Sequence, residues 1–250
     1  LYLLDFKEKF MKHNVTLIRL GHVHHLVNFN ILRKWKSELF SITGIESIEN
    51  LPNSDIDDGF LDIKYRKQDL EKIISCPKNS DYAIAIMPYR FNDNYYMHRI
   101  SNKCVVISLY GITDILKPEN ISIEHFIIRQ LYEICAIKYM INDLLSDDVY
   151  QFIHSDTRGC LFDLNGDKSD ILYNTEQPII CEECKGKFKH KQAQYGIIRT
   201  LEKELKKIQK PFILRAERWI KKYPLLSVII SMLTAITLNV VANLLYEILK

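Results

Sequence analysis

The pattern of apolar and polar positions predicts alternating strands and helices up to about residue 190. Short runs rich in Val and Ile alternate with segments of helical periodicity. We expect strands at Val15–Leu20, Ile45–Asn50, Phe60–Tyr65, Tyr82–Met87 and Cys104–Tyr110, and helices at Phe29–Phe40, Gln68–Ser75 and Ser122–Ser146. This order of elements is typical of an α/β (α+β) soluble domain with a mixed sheet, over residues 1–190.

The longest apolar run lies near the other end of the chain. Residues Pro224 to Tyr246 include no charged side chain, and a helix of this length spans about 35 Å, against about 30 Å for a hydrocarbon core. The alternative is a buried core helix. Many Lys and Arg precede the run and only Glu247 and Lys250 follow it, so the N-terminal bulk is expected in the cytoplasm. We predict a transmembrane helix over residues 224–249.

One half of this predicted helix is polar or small when it is drawn at 100° per residue. That half comprises Ser227, Ser231, Thr234, Ala235, Asn239, Ala242 and Asn243, and the apolar half includes Thr237. Such side chains inside a bilayer normally face another helix or a water-filled path. We expect a homo-oligomer, a tetramer being one form, with a pore lined by Ser227, Ser231, Thr234, Asn239 and Asn243. The alternative is a monomeric anchor whose hydroxyls bond to the preceding turn.

A basic segment over residues 191–223 leads into the apolar run. Its apolar residues recur at the a/d spacing of a coiled coil: Ile198, Leu201, Leu205, Ile208, Phe212 and Trp219. The spacing predicts a juxtamembrane oligomerisation helix. The alternative is a helix lying on the acidic domain or on lipid headgroups.

The charge balance separates the two ends of the chain. The 250 residues have a net charge of +3, but residues 1–184 carry 20 Lys/Arg against 27 Asp/Glu, and the remainder carries 14 against 4. The acidic part is not expected to bind nucleic acid by bulk electrostatics. The start of the chain lacks the apolar stretch of a signal peptide, and because Leu1 is not a Met we expect further residues upstream.

Cysteine spacing predicts a metal site. Cys181 and Cys184 form a C-x2-C pair, and Cys160 supplies a third thiol from the preceding loop. His154 is the first candidate for the fourth ligand and His190 competes with it. A cytoplasmic location makes disulfides improbable, so we expect structural Zn²⁺ in a knuckle over residues 154–184. The sequence His22-Val23-His24-His25 offers a weaker second metal site, with a solvated loop as the alternative.

The ligand spacing resembles that of the archaemetzincin-type zinc proteases, over about residues 100–190. In that family an active-site helix H-E-x-x-H-x-x-G-x-x-H precedes C-x4-C-x-M and a later C-x2-C. The matching positions here are His154, Cys160, Cys181 and Cys184, whereas Ser155 and Phe162 replace the first Cys and the Met. The positions of the catalytic His, Glu, second His and Gly hold Leu144, Leu145, Asp148 and Gln151. The resemblance implies a zincin-like scaffold that keeps the structural zinc and is not an enzyme.

The layout, a soluble domain joined to one apolar helix, is similar to that of membrane effectors of bacterial anti-phage systems, of the cyclic-oligonucleotide or Hailong type. That likeness implies a nucleotide or single-stranded oligonucleotide signal, membrane lipid as a partner, and an ion channel gated by the signal. Aromatic and basic residues that suit base stacking and phosphate pairing are Tyr89, Arg90, Phe91, Tyr95, Tyr96 and Arg99. The same residues fit a hairpin between two strands. Other functions that fit the layout are a tail-anchored zinc metallopeptidase and a passive membrane-anchored adaptor.

Overall fold

The short apolar runs form a five-stranded mixed sheet in the computed structural model, which describes residues 11–52, 55–56, 63–190, 195–210, 213, 216–217, 219–220 and 223–249. The strands are β1 (His13–Leu20), β2 (Phe40–Ile48), β3 (Asp55–Ile56), β4 (Ile63–Tyr65), β5 (Tyr82–Met87), β6 (Arg90–Phe91), β7 (Met97–Arg99) and β8 (Cys104–Ser108). The main sheet has the order β2-β1-β5-β8-β7, in which β7 is antiparallel to β8 and the other pairs are parallel. Strands β3, β4 and β6 form a second, smaller sheet. The prediction of an α/β fold with a mixed sheet is confirmed.

Helices connect and cover these strands. They are α1 (Phe29–Lys34), α2 (Lys67–Glu71), α3 (Ile112–Leu116), α4 (Ile123–Met140), α5 (Ile171–Glu176), α6 (Glu182–His190), α7 (Tyr195–Ile208) and α8 (Pro224–Leu249). The chain divides into two compact units, Leu1–Gln209 and Lys210–Lys250. Helices α1 to α7 belong to the first unit, which runs past the predicted boundary at residue 190, and α8 belongs to the second.

Both faces of the main sheet are buried, which explains the continuous apolar runs in its strands. Side chains alternate along β1, so that Val15 and Leu17 join the larger core and Ile18 and Leu20 join the smaller one. Helix α4 fills the larger core and is buried along most of its length. Its first turn is capped by Ser122, whose Oγ accepts a hydrogen bond from the backbone N–H of His125 at 3.2 Å.

Three predicted helices are shorter than their patterns indicated, and the one expected at Gln68–Ser75 ends at Glu71. The helix expected at Phe29–Phe40 ends at Lys34, because Trp35 is extended and the Ser37 hydroxyl accepts the Leu39 N–H just before β2 begins. The helix expected at Ser122–Ser146 ends at Met140. The strand expected at Tyr82–Met87 is found with those bounds, and residues 60–62 of another predicted strand lie outside the described residues.

Helix α7 packs within its own compact unit, which contradicts its interpretation as a seam for another copy. Ile198, Leu201, Leu205 and Ile208 are all buried in the larger core, and α7 contacts α4. Phe212 lies outside the described residues, and Trp219 belongs to the second unit. The a/d spacing of these four residues therefore belongs to a helix packed on its own domain, in agreement with the alternative of a helix lying on the acidic domain.

A buried carboxylate fixes α7 in this position. Glu204 is fully buried, and its Oε1 accepts the backbone N–H of Glu38 at 2.6 Å. Its Oε2 accepts hydrogen bonds from the Ser37 hydroxyl and from the Tyr132 hydroxyl, the latter at 2.7 Å. Lys207 supplies a cation 3.2 Å from Oε1. The loop that follows α1 is thus bonded to α7, and the buried carboxylate is satisfied on both oxygens.

Helix α8 is long and apolar enough to cross a membrane over Pro224–Glu247, and none of that span is buried inside the structure. Its hydroxyls donate to carbonyls of the preceding turn at 2.7–2.8 Å: Ser227 to Pro224, Ser231 to Ser227, Thr234 to Ile230 and Thr237 to Thr234. The amides of Asn239 and Asn243, one turn apart, have no such partner among the described residues.

Candidate metal centre

Four side chains converge to form a candidate metal centre in the first unit. The ligand atoms of His154, Cys160, Cys181 and Cys184 all lie within 4.8 Å of one another. His154 Nε2 is 3.0 Å from the Cys184 Sγ and 3.1 Å from the Cys181 Sγ, and the Cys160 and Cys184 sulfurs are 4.0 Å apart. Four N and S atoms at these separations could hold one metal ion. The structure therefore brings together the four predicted ligands, and the side chain of His190 lies outside the described residues.

Backbone pairing positions the first two ligands. The His154 N–H donates to the Phe162 carbonyl at 3.1 Å, and Cys160 forms a bridge with Ile179. Asp163 Oδ2 accepts the backbone N–H groups of Arg158 and Cys160, each at 2.9 Å. Gly159 takes a φ of +74° inside this turn, a conformation that glycine adopts without strain. One carboxylate and one glycine thus shape the loop that presents Cys160.

The other two ligands stand at the start of α6. Cys181 directly precedes the helix and its carbonyl accepts the Lys185 N–H at 3.0 Å, while Cys184 lies in the first turn. A helix N-terminus favours thiolates because the first N–H groups and the helix dipole point toward them. The C-x2-C spacing places both sulfurs on the same side of this helix start.

Hydrogen bonding prepares one thiol to ionise. The Cys184 thiol and the backbone N–H of Cys181 lower the pKa of Cys160 to about 5, against the effect of burial. The same hydrogen bond and burial raise the pKa of Cys184. Metal ions bind thiolates, so Cys160 is the sulfur that offers the anionic form most readily.

The cluster lies in a mostly apolar setting. Cys160 and Cys184 are fully buried, His154 is nearly so, and Cys181 is half-buried. Three aromatic rings close to these ligands in sequence pack against one another, with centroids 5.9–6.2 Å apart. They belong to Phe152, Phe162 and Phe188. The Glu183 carboxylate lies 3.8 Å from His154 Nδ1 and pairs with Arg158 at 2.7 Å. A carboxylate near the second ring nitrogen orients a metal-binding histidine.

A buried ion pair connects the loop of the metal centre to α4. Arg129 is fully buried; it donates to Glu133 Oε2 at 2.6 Å and to the Leu161 carbonyl at 2.5 Å. Burial raises the pKa of Glu133 to about 7, although Arg129 opposes the shift. Sequence reasoning missed Arg129, Asp163 and Glu183, because their partners are distant in sequence or lie in a loop without periodicity. The signal that could have found Arg129 and Glu133 is their i, i+4 spacing in an otherwise apolar segment.

The segment before His154 is not the active-site helix that the archaemetzincin resemblance implies. Helix α4 has already ended at Met140, and the residues from Asp147 to Phe152 form a 3-10 helix. Leu144 is buried in the core and Leu145 is exposed, so the two do not form a ligand-bearing face. Residues 144–154, which align with the active-site signature of that family, therefore do not form one helix, and the resemblance is limited to the spacing of the four ligands.

The six candidate ligand-binding residues do not form one surface. Phe91 and Tyr96 are each 1% exposed and belong to the core, so they are not available to stack on a base. The Tyr95 hydroxyl donates to the Leu164 carbonyl at 2.5 Å. Three further residues are half-buried: Tyr89 packs on Tyr65, Arg90 lies over Tyr110 and Arg99 lies over Tyr150. Of the six residues, Arg99 alone lies in the hairpin of β7 and β8, whereas Arg90 and Phe91 form β6 and pair with β4 in the smaller sheet.

The histidines at 22, 24 and 25 lie at the surface in a 3-10 turn after β1. Among the described residues, the Cys/His group is the one set of three or more side chains close enough to share a metal ion. Comparisons of the chain with protein families, with curated proteins and with solved structures give no match.

Proposed function

We propose that the chain is a membrane-anchored, oligomeric effector of bacterial anti-phage defence. In this proposal the first unit binds a nucleotide or oligonucleotide signal in the cytoplasm, and several copies of α8 form an ion-conducting pore in the inner membrane. The observation that carries the proposal is α8 itself: an apolar helix with no buried span that holds two amides without partners among the described residues.

Unpaired amides in a hydrocarbon medium favour association. An Asn side chain in a membrane carries donors and an acceptor that lipid tails cannot satisfy. Asn239 and Asn243 lie one turn apart on the same side of α8, in line with Ala235 and Ser231. A second copy with the same stripe would satisfy the amides, and three or more copies would enclose a narrow polar axis.

We propose that the metal is structural Zn²⁺. Three thiols and one imidazole are the ligand set that zinc prefers in closed tetrahedral sites. With Zn–S near 2.3 Å and Zn–N near 2.0 Å, ideal ligand separations are about 3.5–3.8 Å, and the observed separations between 3.0 and 4.8 Å bracket them. All four positions are filled by protein atoms, so no position is left for a substrate or an activated water. This closed ligand set supports a scaffold and not a protease.

Bilayer recordings with purified protein test the pore. We expect the wild type to conduct, and Asn239→Leu with Asn243→Leu to abolish conductance while membrane insertion is kept, because the helix only becomes more apolar. Thr237→Leu is the matched control: its hydroxyl bonds to Thr234 inside the helix, and we expect it to conduct normally. Because amides also stabilise helix association by about 0.5–2 kcal/mol, the subunit number of each variant is measured in parallel.

Three results would argue against this proposal. The first is a wild type that conducts nothing with or without nucleotides, together with harmless overexpression in cells. The second is a double Leu variant that conducts like the wild type. The third is a second, exchangeable zinc per chain, which would favour the metallopeptidase.

A passive membrane-anchored adaptor is the second candidate. The observation that favours it is the bonding of the four Ser and Thr hydroxyls of α8 within the helix, which leaves them satisfied in a monomer. An adaptor predicts no conductance in any variant and silent substitutions at Asn239, Asn243 and Thr237. The same recordings distinguish the two functions.

A further inference from the structure

A cavity opens at the carboxyl end of β1, outside the residues discussed so far. It has a volume of about 520 Å³, which is within the range of small-molecule sites. The side chains that matter for its chemistry are Arg19, His24, His25, Phe29, Asn30 and Glu124. Arg19 is the next-to-last residue of β1, and the two histidines belong to the exposed turn that follows the strand.

The position of this cavity in the sheet is typical of a ligand site. The chain runs from β1 to β2 on one side and then crosses to β5 and β8 on the other side, with all four strands parallel. The connection after β1 runs toward β2 and the connection after β5 runs toward β8, so the carboxyl ends of these two neighbouring strands form the switch point at which open α/β sheets bind ligands. Gly21, with a φ of +58°, turns the chain away from the strand end and begins the wall that carries the histidines.

The charge of Arg19 is not balanced by another side chain of the described residues. Its guanidinium lies over the Phe29 ring at 5.6 Å, and its Nε is buried without a hydrogen-bond partner there. Glu124 lines the same cavity, but its Oε1 accepts the backbone N–H of Asn28 at 2.8 Å and it forms no ion pair with Arg19 among these residues. The buried Nε–H of Arg19 is a donor that no described residue satisfies, and a phosphate oxygen in the cavity would supply its acceptor.

We infer that this cavity binds the phosphate groups of a nucleotide, with Arg19 as the main phosphate ligand. The inference rests on the proposed function, in which the first unit receives a nucleotide or oligonucleotide signal. A guanidinium pairs with two phosphate oxygens at once, and His24 and His25 add two imidazole N–H donors at the mouth of the cavity. Asn30 and Glu124 offer hydrogen-bonding groups for a sugar or a base.

Titration calorimetry on the detergent-extracted full chain tests the site with inorganic pyrophosphate, ATP and a short oligodeoxythymidylate as probes. We expect the wild type to bind pyrophosphate, and ATP or the oligonucleotide to bind more tightly and to compete with it. Adenosine, which has no phosphate, is expected not to compete. If ATP binds more tightly than the oligonucleotide, the phosphate source is a mononucleotide; the reverse order assigns it to a single strand.

Variants locate the binding. Arg19→Gln is expected to weaken pyrophosphate and ATP binding about tenfold or more, since a charge-assisted pair is lost. His24→Gln with His25→Gln changes two exposed side chains and gives a second test in a chain that keeps its core. Arg33→Gln removes an exposed cation from α1 outside the cavity, and we expect it to bind like the wild type.

Two results overturn the inference: no pyrophosphate binding to the wild type, or equal binding by the wild type, Arg19→Gln and the double His variant. Neither result changes the expected effect of Asn239→Leu and Asn243→Leu on conductance. Failure of the site and failure of the pore are therefore separate outcomes.

Discussion

At the scale of single residues, two buried polar groupings hold the first unit together around its apolar core. One is the set of candidate metal ligands His154, Cys160, Cys181 and Cys184, and the other is the pair of Arg129 and Glu133. Both contain groups that are unfavourable in a protein interior unless their partners are present. Removing one partner from either grouping should therefore destabilise the fold.

Replacing Cys181 and Cys184 by Ser should abolish metal binding. We expect the free energy of unfolding to fall by more than about 4 kcal/mol, because loss of a metal site is among the largest effects that substitutions have. Metal content by mass spectrometry and thermal unfolding measure the change. Cys76→Ser, at a half-buried thiol outside the cluster, is the control and should keep the metal. A metal-free double variant with an unchanged unfolding temperature would contradict a structural role.

Removing the Glu133 carboxylate should leave the Arg129 charge buried without its carboxylate partner. We expect Glu133→Ala to lower the free energy of unfolding by about 3–5 kcal/mol, and Arg129→Met with Glu133→Leu to recover much of the loss. Urea denaturation measures all three proteins. Glu71→Ala breaks the half-exposed i, i+4 pair with Lys67 and should change stability by no more than about 0.5 kcal/mol. Equal effects of Glu133→Ala and Glu71→Ala would show that burial of the first pair is unimportant.

At the scale of elements, α7 has the a/d spacing of a coiled-coil helix but the contacts of a core helix. Its apolar side chains point into the same core as α4, and Glu204 bonds it to the loop between α1 and β2. That loop is the continuation of α1, whose first residues line the cavity at the end of β1. The short helix α1 thus lies between the cavity and the loop to which Glu204 is bonded.

Leu201→Ala should destabilise the first unit without changing the subunit number. The expected loss is about 2–5 kcal/mol, because the side chain is fully buried and its removal leaves a cavity. Urea denaturation measures the free energy of unfolding, and light scattering on the folded protein measures the subunit number. Lys203→Ala, in an exposed pair with Glu38, is the control and should lose no more than about 0.5 kcal/mol. A smaller assembly with unchanged stability would restore the coiled-coil interpretation.

At the scale of the whole molecule, the division into two compact units separates the candidate sites from the apolar helix. The metal centre and the cavity lie before Gln209, and α8 lies after it. The first unit has its own core and its own buried polar network, which are the properties of a unit that folds alone.

A chain truncated after Gln209 should therefore remain soluble and keep its metal. The full-length chain should stay in the membrane fraction after carbonate extraction. Ultracentrifugation of cell lysates and metal analysis of both fractions measure this. Replacing Leu233 and Ile236 in α8 by Asp is a matched test in the full-length chain, because a charge near the middle of a span costs about 2.5–3.5 kcal/mol. Membrane retention of the shortened chain would place a second membrane contact in the first unit.

The sequence by itself determined the features that depend on local spacing. Apolar runs gave the strands β1, β5 and β8, the charge-free run gave α8, and the cysteine spacing gave three ligand positions of the candidate metal centre, with the fourth open between His154 and His190. These features can be predicted because a strand, a membrane-spanning helix and a C-x2-C pair each need a fixed pattern within a few residues.

Tertiary structure decided which surface each element packs against. The a/d spacing of α7 fits a partner chain or its own domain equally well, and only the packing on α4 chose the domain. The same holds for Phe91 and Tyr96, whose residue types suit a ligand but whose side chains complete the core. Arg19 became a candidate ligand for phosphate only when the sheet placed it at the end of β1 beside two histidines, because sequence does not show which charges lack a partner.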